Sequence, residues 1–355
     1  MSRPVFAYID TVALQHNLSV IRRHVGTSRI IAVVKADGYG HGLARIAQAL
    51  LGADSCAVAS IDEAIQLREL GWTKPILLLE GVFEIEEIRY CIQYDLSIVI
   101  HHYEQINMLR AAKLTQTIPV FIKFNSGMNR LGFKQDAFRT ALAQIQSIAM
   151  LSPITLMSHF ATADDDNGIS TQMNIIQQQF ARLPYPTSLA NSAAALRYPA
   201  SHGEWIRAGI ALYGASPFAD TRADTLDLRP VMTLHSRIIA VQTLMTGEAL
   251  GYGLIWVAER NSRIGIVACG YADGYPRHAS TGTPILVNGQ RTQVLGRVSM
   301  DMLFVDLTQL PDAGVGSQVI LWGQGLPVEE VAQAAGTISY ELLCARAKRV
   351  TEREL

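Results

Sequence analysis

The run IIAVVKADGYGHG, Ile30 to Gly42, places an apolar stretch of strand length directly before a lysine and a glycine-rich turn. Lysine is among the residues least often buried, so Lys35 marks a strand whose tip meets a polar space. The helical pattern HGLARIAQALLG follows, then the apolar run CAVAS, the helical pattern IDEAIQLRELG and the run PILLLE. The alternation continues through SIVIH, PVFIKF, ITLMSHF, TSLANS and WIRAG, giving eight strand candidates between Ile30 and Gly209. Strands that are apolar on both faces and separated by helices belong to a parallel sheet covered on both sides. Eight such units predict an α/β fold of the (β/α)₈ TIM-barrel type.

From Leu228-Arg229-Pro230 onward the pattern changes to VMTLHSRIIAVQTL, RIGIVACGYADGY, PILVNGQRTQVLG and MLFVDL, without helices between them. Val287-Asn288-Gly289-Gln290 is a hairpin signal, because Asn-Gly supplies the two positive φ angles of a type I′ turn. A mainly antiparallel β domain is therefore expected over 229–355, after a barrel over 8–228, with residues 1–7 free to pair with the second domain. An amphipathic segment, Val12 to Arg23, precedes the first strand, and a helical patch from Pro327 to Arg349 is expected to close the chain.

The composition narrows the class of partner. The chain has 355 residues, 49% of them hydrophobic, which is enough for two domains without a disulfide or metal staple. A formal net charge of −1 gives no basic face for nucleic acid and no polybasic membrane footprint. Four cysteines stand far apart with no CxxC pair, which fits a reducing compartment and suggests no metal. MSRPVFAYID lacks an apolar signal core, and no stretch reaches membrane-spanning length. The expectation is a soluble, unprocessed, cytoplasmic protein acting on a small molecule.

In a barrel the site lies at the carboxyl ends of the strands. Those ends carry Lys35, Ser60, Glu80, His101, Lys123, His159, Asn191 with Ser192, and Arg207. A lysine amine kept from water favours its neutral, nucleophilic form and can form a Schiff base with an aldehyde. The alternative for Lys35 is a side chain that snorkels to solvent. Ala190-Asn191-Ser192 before Ala-Ala-Ala-Leu reads as a strand entering a helix with Ser192 at its N-cap, where free N–H groups attract phosphate. In Arg207-Ala-Gly209-Ile210 a glycine lets backbone N–H groups approach a ligand. On one rim these features point to an aldehyde-bearing phosphate, pyridoxal 5′-phosphate.

The series AVVKADGYGHG, FNSGMNRLGF, SHFATAD, ANSAAAL, RAGIALYG, GYADGYPR, GRVSMD and TISY resembles, in order, the motif series of the alanine racemases. The resemblance implies a barrel followed by a β domain, in a homodimer whose sites lie between domains and subunits. It implies that Lys35 binds the cofactor covalently and is one catalytic base, with Tyr252 of ALGYGLIW reaching in from the other subunit as the opposing base. A phenol titrates near pH 10, so a tyrosine base working near neutrality needs a shifted pKa or a proton-relaying neighbour. His159 and Arg207 match the residues that supply such a relay. Arg207 also matches the residue facing the pyridine nitrogen; a guanidinium gives up its proton reluctantly, which leaves the ring a weaker electron sink and disfavours transamination.

The phosphate site implied by position is Tyr39, Ser192, Gly209, Ile210 and Tyr340, with Asn191 beside it. Arg130 matches the residue for the cofactor phenolic oxygen and the substrate carboxylate, and the backbone of Met300, beside Asp301, matches a contribution across the dimer. Lys123 stands where some members carry a carbamylated lysine; an ordinary ammonium or a nearby anion are the alternatives. Tyr271, Arg277, Arg297 and Asp164 match an access corridor. Ser188 replaces a histidine found in some members before Asn-Ser, and Ser299 replaces a cysteine before Met-Asp. Alternatives to this reading are a broader amino-acid racemase and a decarboxylase on the same scaffold, against which ALGYGLIW speaks. A metal-dependent barrel hydrolase lacks HxH or HExxH spacing. A non-catalytic cofactor carrier would not need the C-terminal motifs.

Overall fold

A computed structural model describes residues 3–354. The chain opens with strand β1 (Phe6–Ile9) and a helix, Thr11–Val25, whose N-cap Asp10 accepts from the Ala13 N–H. Eight strands then alternate with helices: β2 (Arg29–Val33), β3 (Ser55–Val58), β4 (Ile76–Leu78), β5 (Leu96–Ile100), β6 (Ile118–Lys123), β7 (Leu151–Met157), β8 (Thr187–Ser188) and β9 (Trp205–Ala208). They close into a parallel barrel in sequence order, β9 returning to pair with β2 from Arg29↔Trp205 to Ala32↔Ala208. All eight are the runs picked out by the alternation. The reason is visible in β5, whose five residues are all buried; burying each of Ile98, Val99 and Ile100 contributes roughly 1.5–3 kcal/mol.

The remaining strands are β10 (Met232–Leu244), β11 (Ala249–Leu250), β12 (Trp256–Val257), β13 (Ser262–Val267), β14 (Pro284–Val287), β15 (Gln290–Leu295), β16 (Leu303–Asp306), β17 (Gln318–Trp322) and β18 (Thr351–Glu354). The large sheet runs β13-β16-β15-β14-β17-β10-β1-β18, and β10 also pairs with β13. Its pairings are antiparallel except β1 with β18. The β14–β15 turn has φ +48 at Asn288 and +78 at Gly289, as a type I′ turn requires.

Two features depart from the sequence reading. β1 includes Tyr8 and Ile9, assigned above to the barrel, because their backbone pairs with Thr233 and Met232 of β10; residues 1 and 2 lie outside the described residues. The helical patch from Pro327 to Arg349 is two helices, Val328–Ala334 and Ser339–Cys344, parted at Gly336 with φ +69. The chain then ends not in helix but in β18, a polar strand held by its pairing with β1. Among the described residues no helix is long and apolar enough to cross a membrane. Cys56, Cys91, Cys269 and Cys344 are free thiols.

Candidate active site

A cleft of about 480 Å³ opens at the carboxyl ends of the barrel strands. Lys35, Tyr39, Lys123, Arg130, His159, Asn191, Ser192, Arg207, Gly209, Ile210 and Tyr340 all line it, together with Glu80. Four cations therefore face one carboxylate, and the cleft suits an anion.

Lys35 leaves β2 into one turn of left-handed helix. Ala36, Asp37, Gly38 and Tyr39 have φ between 52 and 62 and ψ between 41 and 52. Three of the four carry a Cβ, and at 1–2 kcal/mol for each the turn stores roughly 3–6 kcal/mol that its surroundings must offset. Local bonds hold it: the Ala36 N–H donates to Glu63 Oε1 at 2.7 Å and the Leu43 N–H to Asp37 Oδ1 at 2.7 Å. The product of the strain is the aim of Tyr39. Its ring stacks on Tyr213 at 4.7 Å, Tyr213 stacks on His41 at 4.6 Å, and the Tyr213 hydroxyl donates to the Val33 carbonyl at 3.0 Å. The phenol is thereby tied to the strand that presents Lys35. Burial, with Tyr340 and Cys344 nearby, raises the Tyr39 phenol well above its ordinary range, so it stays a neutral donor.

Ser192 does not cap its helix. Asn191 is the N-cap and accepts from the Ala194 N–H at 3.0 Å, because its longer amide reaches that N–H from outside the first turn. Ser192 Oγ instead accepts from Gly209 N at 2.9 Å and Ala211 N at 3.4 Å. With its lone pairs engaged, the hydroxyl has its proton left to donate. Gly209 is a position where backbone and side chain meet closely: a Cβ there would lie 2.7 Å from the Tyr39 hydroxyl. Ile210 begins a 3₁₀ turn, so its N–H has no partner within that turn.

Arg207 is buried and held firmly. Nη1 donates to the Ser188 carbonyl at 2.7 Å and to Ser188 Oγ at 2.8 Å; Nη2 donates to the Ser158 carbonyl at 2.8 Å and to His159 Nδ1 at 3.1 Å. Ser188 thus anchors the guanidinium through both of its oxygens. Among the described residues Nε donates to no protein acceptor, and it remains available to the cleft. Burial, then the charge of Arg130, pushes Arg207 down to about 10. A guanidinium can only donate, so His159 Nδ1 is the acceptor and the ring carries its proton on Nε2. Burial and the cations Arg207, Lys123, Arg130 and Lys35 keep His159 neutral, well below its usual value.

Arg130 sits on a loop folded back over β6. The Phe133 N–H donates to the Lys123 carbonyl and the Asn125 N–H to the Phe133 carbonyl, both at 2.9 Å, while Asn125 Oδ1 accepts from Gly127 and Asn129 at 3.1 Å. The loop brings Arg130 and Lys123 to one wall. Burial, then the positive charges of Arg207, Arg130 and Lys35, pushes the Lys123 ammonium down to about 8.

Two predicted rim residues face elsewhere. Ser60 forms a capping box with Glu63, and His101 Nε2 donates to the Glu80 carbonyl at 3.0 Å. Tyr252, Met300, Asp301, Tyr271, Arg277, Arg297 and Asp164 do not line the cleft of this chain. Tyr252 is 70% exposed. Tyr271 and Ala272 donate to the Ser299 and Met300 carbonyls at 3.1 and 3.0 Å, joining those two segments. Asp301 pairs with Arg3 at 3.1 Å and Arg349 at 2.7 Å. Arg277 and Asp164 are exposed, and Arg297 packs against Gly253. Sequence reasoning passed over Val33, Ala36, Leu79, Leu131, Met157 and Cys344, which also line the cleft. Adjacency to rim residues is the signal for most of them; Cys344 arrives from a C-terminal helix and offers none.

Family profiles described as alanine racemase, N-terminal domain and C-terminal domain match residues 9–217 and 231–354. An alanine racemase of Nitrosomonas europaea is 56% identical over 359 residues, covering 99% of this chain and 98% of that one. The crystal structure of a biosynthetic alanine racemase from Pseudomonas aeruginosa superposes with a TM-score of 0.97 at 46% identity, covering 99% of both chains. That of Bartonella henselae, with covalently bound pyridoxal phosphate, gives 0.90 at 28% identity over 99% of both.

Proposed function

The chain belongs to the alanine racemase family, and on that premise we propose that it is a cytoplasmic, pyridoxal-phosphate-dependent alanine racemase, working as a homodimer by two-base transfer of the α-proton. The observation that carries this reading is the meeting of the Lys35 amine with the Ser192–Gly209–Ile210 cradle in one cationic cleft.

The residues fit the cofactor at both ends. Ser192 has a proton to donate, Ile210 a free N–H, and Tyr39 and Tyr340 hydroxyls at the same wall, a set suited to a phosphate. Asn191 supports this wall by capping the following helix. Arg207 Nε is the donor aimed at a ring nitrogen, and Arg130 suits a phenolate or carboxylate oxygen. When bound, pyridoxal phosphate supplies the electron sink that makes the α-proton of alanine removable.

Racemisation needs one base on each face of the α-carbon. Lys35 Nζ holds or removes the proton on one face. Tyr252 of a second copy serves the other, its oxygen accepting a hydrogen bond from His159 Nε2–H, the tautomer that the Arg207 guanidinium behind it fixes. The dimer reading draws on the surface: Tyr252, Leu254, Ile255, Met300 and Met302 are exposed large apolar residues of the β domain, side chains that a second copy would cover. A second copy covering it would bring the Met300 backbone toward the substrate carboxylate, with Tyr271, Arg277, Arg297 and Asp164 along the approach and Asp301 bracing the segment. Carbamylation of Lys123, in which the ammonium loses one proton and the neutral amine then joins carbon dioxide with loss of a second, would replace a buried cation by an anion between arginines. A methyl-sized pocket excludes an added methylene by only about 1–3 kcal/mol, so slow turnover of slightly larger amino acids accompanies the main activity.

Substitution in D₂O tests the assignment. Lys35→Ala loses both the visible absorbance of covalently held cofactor and racemisation. Tyr252→Phe keeps the absorbance and loses racemisation, with α-deuterium exchange surviving for one enantiomer more than the other. Equal exchange losses for both enantiomers would remove the assignment of one base to each face.

A further inference from the structure

We infer that Arg346, which lies outside the cleft on the C-terminal segment, is a positioning residue for the cofactor phosphate, acting by holding the left-handed turn that aims Tyr39. This deepens, and rests on, the cofactor reading above. The turn 36–39 is followed by Gly40, and the Arg346 Nε–H donates to the Gly40 carbonyl at 2.6 Å. The Arg346 side chain is only 6% exposed. Its Nη1 donates to the Val350 carbonyl at 3.3 Å and its Nη2 to Glu352 Oε1, while Asp37 Oδ2, on the turn itself, lies 3.8 Å from Nη2. One guanidinium therefore joins the left-handed turn to the start of β18.

The contact is close on the other side too. A Cβ at Gly40 would lie 2.1 Å from the Leu343 carbonyl, so the helix that carries Tyr340 and ends at Cys344 packs directly on the turn. Tyr340 and Tyr39 have ring centroids 6.0 Å apart. The turn's own sequence favours right-handed or extended backbone at Ala36, Asp37 and Tyr39, and a strained backbone persists only where its surroundings over-determine it. Arg346, which does not line the cleft, is the fork of donors that does so. Lysine, with a single point of attachment, cannot span Gly40, Val350 and Glu352 together. Arg45 is the internal comparison: it pairs at 3.5 Å with Glu352 and Glu354 on the same patch but makes no hydrogen bond to residues 36–40.

The test is equilibrium binding of pyridoxal phosphate to cofactor-stripped full-length protein, followed by the cofactor's absorbance. Arg346→Met is expected to weaken binding at least tenfold, about 1.4 kcal/mol, and Arg346→Lys to restore only part. Arg45→Met stays within twofold of wild type, and the KM for alanine of the cofactor-saturated enzyme moves less than the cofactor affinity. Wild-type affinity in Arg346→Met, or equal weakening in Arg346→Met and Arg45→Met, overturns the inference. Should Arg346→Met not fold, Glu352→Gln removes the anchor of the guanidinium and is expected to weaken cofactor binding about threefold; no change there also overturns it. Wild-type protein that fails to bind pyridoxal phosphate would instead overturn the underlying cofactor reading.

Discussion

Replacing Lys123 by methionine separates the stability of the barrel from the charge of its site. Lys123 is 7% exposed, and burial, reinforced by Arg207, Arg130 and Lys35, lowers its ammonium from 10.5 to about 8. The unfolded chain thus holds a proton here more tightly than the folded one. Between the two values stability rises with pH, and below about 8 the whole penalty is present. It amounts to about 3 kcal/mol at pH 7, about 2 at pH 9 and about 1 at pH 10. Methionine occupies a similar channel without charge. The variant is expected to exceed wild type in unfolding free energy by about 3 kcal/mol at pH 7, with an advantage that shrinks on that schedule. Denaturant unfolding of the cofactor-free proteins at matched protein concentration, in buffers purged of carbon dioxide, reads the difference. A gap that is the same at all three pH values would refute the electrostatic origin assigned to it.

Other consequences are equally open to measurement. Ser192→Ala removes a hydroxyl whose proton is reserved for the cleft, and a lost hydrogen bond to a charged group weakens cofactor binding by about 1.5–3 kcal/mol, read by absorbance titration. Gly209→Ala puts a methyl 2.7 Å from the Tyr39 hydroxyl; overpacking against that fixed phenol lowers stability by about 1–3 kcal/mol and cofactor affinity with it. With each site shared between two copies as proposed, an equimolar mixture of Lys35→Ala and Tyr252→Phe chains, unfolded and refolded together, regains about a quarter of wild-type turnover, since half the dimers would hold one intact site. No recovery would mean that each site is built from a single chain.

The barrel was legible because its strands are buried on both faces, which writes an unbroken apolar run such as LSIVI into the sequence. The Asn288-Gly289 turn was legible because few residues accept its angles. β18 was not: TERE is polar and helix-compatible, and only the backbone of β1 makes it a strand. The cleft followed from strand ends, yet Ser60 and His101 show that a polar residue at such an end can turn to local capping or backbone contacts. The N-cap moved from Ser192 to Asn191 because both residue types cap well and only geometry decides which reaches the Ala194 N–H. The left-handed turn at 36–39 runs against the preferences of three of its residues, so no local pattern announces it. Its long-range brace, Arg346, is 306 residues from Gly40 in sequence.

The most direct test is chiral chromatography of alanine after incubating the purified protein and pyridoxal phosphate with L-alanine, and separately with D-alanine. Both reactions are expected to converge on the same near-equal mixture of enantiomers, with other amino acids inverted far more slowly. Unchanged enantiomers from both starting points, loss of the carboxylate to give an amine, or equal inversion of many amino acids would contradict the assignment as an alanine racemase.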